Sequence, residues 1–280
     1  MSDVYFCEIT NKKLLADEIV SITIKCEEIA RKAVAGQFLH IKCGTERILR
    51  RPLGICDINR DEVRFVFEIA GEGTKWLSKC EVLQSLNVLG PLGNGFTVPS
   101  DKNPSNKVLI IGGGIGAPPM LFTAKSVVSA RGAGPSNENA SGRKSGVEAI
   151  LGFRSKNSII LSDEFRQVCD DIIITTDDGS AGIKGTVIEP LKKLLEKGNI
   201  GMVMSCGPFV MQKAVAKLLL EFSVPYQVSL EERMGCGVGA CLVCACATYD
   251  LSKETRTLEM SHVCIDGPVF DACNVAWQSG

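Results

Sequence analysis

The spacing of apolar residues changes character near Pro104. Before it, short segments alternate. Ile19–Cys26, Gln37–Cys43 and Glu62–Ile69 are rich in β-branched and aromatic residues, and in the last Val63, Phe65, Phe67 and Ile69 share one face by period-two alternation. Gly36, Pro52, Gly71, Gly73, Pro91, Gly93 and Gly95 punctuate the gaps. Many short strands with turn signals predict an antiparallel sandwich or barrel. After Pro104, the apolar runs Val108–Ile111, Ala149–Phe153, Ile172–Thr176 and Met202–Cys206 alternate with helical patterns, and Tyr226–Leu230 supplies a further strand. The clearest helix covers Pro208–Ser223, where Met211, Val215, Leu218, Leu219 and Phe222 recur at helical spacing and Pro208 suits the first helical position. Strands alternating with helices predict a parallel, doubly wound sheet.

Two segments fit neither pattern. Arg131–Gly146 is rich in Gly, Ser and Asn and almost free of large apolar residues, and reads as a mobile surface insertion. From Glu231 onward the chain is rich in Cys and Gly with few long apolar patterns. So short a segment does not build its own core easily, and a metal centre would supply what burial does not.

Composition narrows the function classes. A chain of 280 residues with 45% hydrophobic and 22% charged residues buries a real core. Thirty-one Lys and Arg against 32 Asp and Glu leave a net charge of −1, so there is no global electrostatic case for nucleic acid or an anionic membrane. The charge-free run between Lys107 and Lys125 carries four Gly and two Pro and is too short and broken for a membrane span. Met1-Ser2-Asp3-Val4 lacks the basic-then-apolar order of a signal peptide. A soluble, cytoplasmic protein is expected.

Thirteen cysteines, an odd count without an export signal, argue against a disulfide scaffold. Cys7, Cys26, Cys43, Cys56, Cys80 and Cys169 read as buried apolar thiols. Cys236, Cys241, Cys244 and the distant Cys264 follow C-x4-C-x2-C…C, the plant-type [2Fe–2S] spacing. Four thiolates are soft ligands suited to iron–sulfur chemistry. Gly235, Gly237 and Gly239 let the backbone wrap closely and aim N–H groups at the sulfurs. A structural zinc site is the alternative. Cys246 and Cys273 are left over as non-ligands, Cys246 being the stronger rival for a ligand position.

Three further motifs are weaker. Gly112-Gly113-Gly114-Ile115-Gly116-Ala117 joins a strand to a helix and satisfies G-x-G-x-x-A, a turn that lets a pyrophosphate reach a helix N-terminus. A tight turn without ligand would look the same, and in place of the usual acidic ribose contact the second strand ends in Gly152-Phe153-Arg154-Ser155-Lys156, leaving NAD against NADP open. Arg50-Arg51-Pro52-Leu53-Gly54, with Gly71-Glu72-Gly73-Thr74 downstream, offers donors to an anionic cofactor or is an ordinary basic turn. Ser205-Cys206-Gly207-Pro208 closes a strand where ligands of open α/β sheets bind, so Cys206 faces a nicotinamide or flavin, or is a packed thiol.

Taken in order, these pieces resemble the ferredoxin–NADP reductase superfamily, and within it the electron-transfer subunits of NAD-dependent dihydroorotate dehydrogenase. The resemblance rests on Gly36-Gln-Phe38, Arg51–Gly54, Gly71–Thr74, Leu89–Phe96, Gly112–Gly116, Ser205–Pro208, Glu231–Cys241 and Val263-Cys-Ile-Asp-Gly-Pro-Val-Phe270. It implies an FAD-binding antiparallel β-barrel over 1–99, an NAD-binding α/β domain over 100–225 and a [2Fe–2S] domain over 226–280. It further implies that Arg51, Pro52, Leu53 and Gly54, the strand end Val66-Phe67-Glu68, and Gly73 and Thr74 contact FAD, and that Cys236, Cys241, Cys244 and Cys264 bind the cluster. A separate FMN-containing dihydroorotate dehydrogenase subunit oxidises dihydroorotate, two copies of each subunit form a heterotetramer, and electrons cross the cluster and FAD to NAD⁺. The exposed cysteine-rich domain is expected at that interface. The absence of an acid/base constellation here agrees, since cofactors carry the hard step.

Two departures stand out. The family's Arg-Pro-x-Ser ends here in Gly54, and its Tyr-Arg pair is Phe67-Glu68. An anion in place of a cation near a pyrophosphate is unfavourable unless Glu68 points away or pairs with Arg50 or Arg64. A second resemblance, to the flavin and iron–sulfur small subunit of NADH-dependent ferredoxin:NADP oxidoreductases, implies Asp as first cluster ligand, where this chain has Cys236. A flavin-free iron–sulfur carrier is the non-enzymatic alternative.

Overall fold

Antiparallel pairing closes the first six strands into a barrel: β1 (Asp3–Ala16), β2 (Ile19–Lys25), β3 (Phe38–Ile41), β4 (Arg51–Asn59), β5 (Glu62–Glu68) and β6 (Ser85–Leu92), in the order β1-β2-β5-β4-β3-β6. Two short helices, α1 (Glu27–Lys32) and α2 (Glu72–Leu77), fill the longer connections. The computed structural model describes residues 3–45, 48–99, 103, 106–132, 144–250 and 256–277. Alternation puts Val63, Phe65 and Phe67 inside, with the Phe65 and Phe67 rings stacked at 6.3 Å. Ile69 lies one residue past the strand and is half-buried. Burying each such side chain contributes about 1.5–3 kcal/mol. Cys7, Cys26, Cys43, Cys56, Cys80 and Cys169 are all buried, as expected of apolar thiols.

The middle of the chain builds a parallel sheet from β7 (Lys107–Gly113), β8 (Val147–Phe153), β9 (Asp171–Thr176), β10 (Ile183–Lys184), β11 (Ile200–Cys206) and β12 (Tyr226–Ser229). Its connections carry α3 (Ala117–Ala130), α4 (Ser162–Val168), α5 (Ile188–Glu196) and α6 (Phe209–Phe222). The order β10-β9-β8-β7-β11-β12 makes β7 the point where the winding reverses, the usual seat of a ligand in doubly wound sheets. In α6 Val215 and Leu219 are buried and Met211, Leu218 and Phe222 half-buried, so the helical stripe is the packed face. Pro208 stands one place earlier than the sequence suggests, as N-cap with ψ 138°. Most of the Gly/Ser/Asn-rich insertion, residues 133–143, lies outside the described residues. Its flanks are tied down: the buried Arg131 guanidinium donates to the carbonyls of Ser145 at 3.2 Å, Gly146 at 3.0 Å and Asn106 at 2.7 Å. No helix among the described residues is long and apolar enough to cross a membrane.

The C-terminal segment forms a hairpin of β13 (Ala245–Asp250) and β14 (Thr257–His262), then a short β15 (Val269–Asp271). The chain divides into two compact units. One holds the barrel together with Leu230–Phe270; the other holds Phe96–Ser229 with Asp271–Cys273. The cysteine-rich segment thus folds with the barrel. Asn94 N–H donates to the Gly267 carbonyl at 2.6 Å, Asn94 Nδ2 to Ile265 O at 2.9 Å and Asp266 O at 3.1 Å, and Leu230 N–H to Pro268 O at 2.8 Å.

Candidate cofactor sites

Cys236, Cys241 and Cys244 sit on the loop entering β13, and Cys264 on the turn after β14. Gly237 and Gly239, at φ +75° and +80°, occupy the left-handed region and curl this loop back on itself. Backbone N–H groups then converge on sulfur. Those of Val238, Ala240 and Cys241 lie 3.4, 3.2 and 3.3 Å from Cys236 Sγ. Cys236 N–H lies 3.3 Å from Cys241 Sγ, and Gly239 N–H 3.3 Å from Cys264 Sγ. The thiols themselves pair, Cys236 with Cys241 and Cys244 with Cys264. Among the described residues no three His, Cys, Asp or Glu side chains converge on one point as a single-ion site requires. The loop presents two thiol pairs, and Cys264 feels the Cys236 thiol as well as Cys244.

The electrostatics follow from this wrapping. Burial pushes the Cys236 thiol up, but the N–H groups of Val238, Cys241 and Ala240 and the Cys241 thiol more than offset it and bring it to about 7. Cys264 is pushed up to about 12, first by burial and then by the Cys244 thiol, despite the Gly239 N–H. Four thiolates together therefore need a positively charged centre among them. Cys246 lies in β13 and is pushed up to about 12 by burial, Glu232 and Cys244. Cys273 is exposed in the turn after β15. Around the exposed Cys241, the side chains of Val238, Leu242, Val243 and Ile265 are also exposed.

The barrel gathers most of the second motif. Arg51, Pro52, Leu53 and Gly54 open β4, half-buried and paired with β3 in the register Ile41↔Arg51, His40↔Pro52, Leu39↔Leu53 and Phe38↔Gly54. The Arg51 guanidinium crosses Gly73 at the start of α2, and its Nη1 donates to Leu49 O at 2.8 Å and Arg50 O at 3.2 Å. Thr74 Oγ1 is engaged locally: it accepts from Ala70 N–H at 3.0 Å and Gly71 N–H at 3.2 Å and donates to Gly71 O at 3.0 Å. Phe67 points into the barrel core, Val66 is buried on the opposite face of the strand, and Glu68 is exposed and forms no ion pair among the described residues. Arg50 is directed elsewhere, to His40 O at 3.1 Å, Asn87 O at 3.2 Å and Asn87 Oδ1 at 2.6 Å, and Arg64 Nε donates to Ser21 Oγ at 2.8 Å.

The glycine turn separates into two kinds of position. A Cβ on Gly112 would stand 2.8 Å from Ala117 Cα, on Gly113 2.6 Å from Met211 Sδ, and on Gly116 2.5 Å from the Cys206 carbonyl. These three are glycine for close packing of strand and helix. Gly114 alone of the four has a positive φ, +52°, with open space before it, which leaves its backbone accessible. Cys206, paired with Gly112 between β11 and β7, is buried and packed against Gly116. Beyond β8, Arg154 and Lys156 are exposed, and Lys156 N–H donates to Ser180 Oγ at 2.7 Å. One residue of this region escapes motif reading. His40, fully buried in β3, lies against Gly237 of the cysteine loop; its only signal in the sequence is an imidazole inside an otherwise apolar strand.

The chain is similar to known proteins throughout. Residues 231–276 match the family described as the iron–sulfur cluster binding domain of dihydroorotate dehydrogenase B. The dihydroorotate dehydrogenase B (NAD(+)) electron transfer subunit of Desulforamulus reducens is 37% identical over 99% of this chain and 100% of its own length. That of Bacillus pumilus is 36% identical over 99% of both. Among solved structures, an NADH-dependent reduced ferredoxin–NADP oxidoreductase studied for flavin-based electron bifurcation superposes with a TM-score of 0.81 at 29% identity, over 99% of this chain and 92% of that one. The ferredoxin reductase of carbazole 1,9a-dioxygenase, at TM-score 0.63 and 19% identity over 80% of this chain and 67% of that one, shares the fold.

Proposed function

Because the chain belongs to the family of dihydroorotate dehydrogenase B (NAD(+)) electron-transfer subunits, we propose that it takes electrons from an FMN-containing catalytic partner and delivers them to NAD⁺. It is an oxidoreductase subunit with an iron–sulfur domain and a flavin- and nicotinamide-binding reductase fold. The finer reading adds one [2Fe–2S] cluster on Cys236, Cys241, Cys244 and Cys264, FAD on the barrel of residues 1–99, and NAD on residues 100–225. The cluster domain spans 226–280, and two copies of each subunit assemble as a heterotetramer.

One observation carries this reading: the four thiols fall into two pairs, wrapped by five backbone N–H groups. Two irons bridged by sulfide need two thiolates each, and the N–H groups offset the negative charge of the sulfurs. Cys246 is set apart from this role, since it lies within β13 and joins neither thiol pair. Were FAD bound, Arg51 over Gly73 would supply a cation for its phosphates, and Pro52, Leu53 and Gly54 would offer strand backbone to it. Phe67 contributes backbone alone, because its side chain fills the core, while Val66 lies on the opposite face of the strand. Gly114 admits the nicotinamide nucleotide, with Gly112, Gly113 and Gly116 shaping the turn. Cys206, being buried, borders that site as a packed thiol. When bound, the cofactors would supply one-electron transfer at the cluster and hydride transfer at the flavin; the protein holds and orients them.

Similarity to the ferredoxin–NADP oxidoreductase supports a second reading, a bifurcating partner. Purified anaerobically, the chain is expected to carry two irons, two sulfides and one FAD, and with its FMN partner to reduce NAD⁺ at the expense of dihydroorotate. Zinc in place of iron overturns the cluster, and cluster without flavin moves the chain to the carrier reading. Turnover with reduced ferredoxin but not dihydroorotate favours the second reading.

A further inference from the structure

A buried imidazole stands between the strand that carries Arg51–Gly54 and the loop that carries Cys236. His40 has 0% of its surface exposed, and its neighbours Leu39 and Ile41 are equally buried. Neither ring nitrogen makes a hydrogen bond of good geometry among the described residues. The carbonyls of Cys236 and Arg50 nevertheless lie close to the ring. In every tautomer the imidazole carries at least one N–H donor.

The contact with the loop is close. A Cβ on Gly237 would stand 2.6 Å from His40 Nδ1, and Gly237 has a φ of +75°. On its backbone side His40 is paired with Pro52 of β4, and its carbonyl accepts from Arg50 Nη1 at 3.1 Å. One residue thus touches both the candidate flavin strand and the candidate cluster loop. A leucine or valine would fill this strand position without burying polar atoms, so an imidazole with unmet nitrogens beside an available carbonyl is unfavourable unless another state of the loop uses it.

We infer that His40 is a positioning residue for the cluster: its ring N–H donates to the Cys236 carbonyl when the loop is loaded, fastening Cys236 to the strand that carries the flavin motif. The inference rests on Cys236 being a cluster ligand and goes beyond it by naming what fixes that ligand relative to the flavin strand.

The test compares His40→Gln with His40→Met in the full chain. The two side chains have similar length and volume, and only Gln donates an N–H. Expected: both variants retain wild-type iron, sulfide and FAD. His40→Met alters the electron paramagnetic resonance signal of the dithionite-reduced cluster and bleaches at least tenfold faster under a chelator, while His40→Gln keeps wild-type signal and bleaching rate. Identical spectra and bleaching in both variants overturn the role. The unaltered chain offers a measurement independent of variant folding, because it has two histidines. With ¹⁵N-labelled histidine, a cluster-loaded chain is expected to show one ring with a slowly exchanging N–H. Fast exchange at both rings overturns the inference. A wild-type chain without iron and sulfide fails at the earlier step, and that result separates loss of the cluster reading from loss of the His40 role.

Discussion

Arg51 lies across the face of Gly73: a Cβ at that glycine would stand 2.5 Å from the arginine Nε and 2.8 Å from Nη2. No carboxylate pairs with this guanidinium among the described residues, and its Nη1 is steadied by two backbone carbonyls. A cation held in place without a counter-ion is suited to an anionic ligand.

Arg51→Ala is therefore expected to weaken FAD binding by about 1.5–3 kcal/mol, the scale of a hydrogen bond to a charged group, roughly ten- to a hundredfold. Gly73→Ala displaces the same guanidinium and should act in the same direction. Glu68→Arg, which replaces an exposed, unpaired carboxylate by a cation, is expected to tighten binding. Flavin fluorescence titration of the three variants reads all of these, with iron content as the control that the cysteine loop is intact.

Serine at Cys236, Cys241, Cys244 or Cys264 is expected to cut iron and sulfide per chain below half of the wild-type content. Serine at Cys246 or Cys273 should leave both unchanged. Colorimetric iron and sulfide analysis settles it, and loss of iron in Cys246→Ser with retention in Cys244→Ser would reverse the ligand assignment.

Within the glycine turn, Gly116→Ala forces a methyl group against the Cys206 carbonyl and is expected to cost about 1–3 kcal/mol of stability, as overpacking does. Gly114→Ala meets no atom within 4 Å. It carries only the left-handed backbone penalty of about 1 kcal/mol, and its larger effect should be on nucleotide binding. Thermal denaturation and NADH titration should thus rank the two variants in opposite orders.

Buried thiols set an alkaline limit. Burial, with Cys43 nearby, pushes Cys80 from 9.0 up to about 11, and burial likewise raises Cys7 and Cys169. A folded-state value above the unfolded one favours folding below pH 9, and that contribution disappears as pH rises through the folded value. Above pH 9 the unfolded chain releases protons that the folded chain keeps, so each such thiol removes about 1.4 kcal/mol per pH unit. The melting temperature is expected to fall between pH 9 and 11, and Cys80→Ala should flatten that fall.

How far the sequence reaches is visible in individual residues. Strands β2, β3, β5, β7, β8, β9, β11 and β12 and helix α6 were all legible, because apolar period is a local signal. The joining of the cysteine segment to the barrel was not. It rests on backbone bonds such as Asn94 to Gly267, made between residues far apart in the chain, and no local pattern encodes them. The glycine turn was legible as one motif, yet Gly112, Gly113 and Gly116 serve packing and Gly114 alone stands open. His40 was invisible in this role because its meaning depends on Gly237, almost two hundred residues away.

The two backbone bonds at Gly267 and Pro268, from Asn94 at 2.6 Å and Leu230 at 2.8 Å, place the chain's departure from the barrel unit and its return side by side. Residues 96–229 therefore enter the chain as one insertion between two neighbouring points of the barrel unit, yet Asp271–Cys273 fold with them, the Ala272 N–H donating to the Tyr226 carbonyl at 2.8 Å. A stretch grafted from a relative at Gly95 and Leu230 must for that reason bring Asp271–Cys273 with it, so two cuts alone do not exchange the inserted unit.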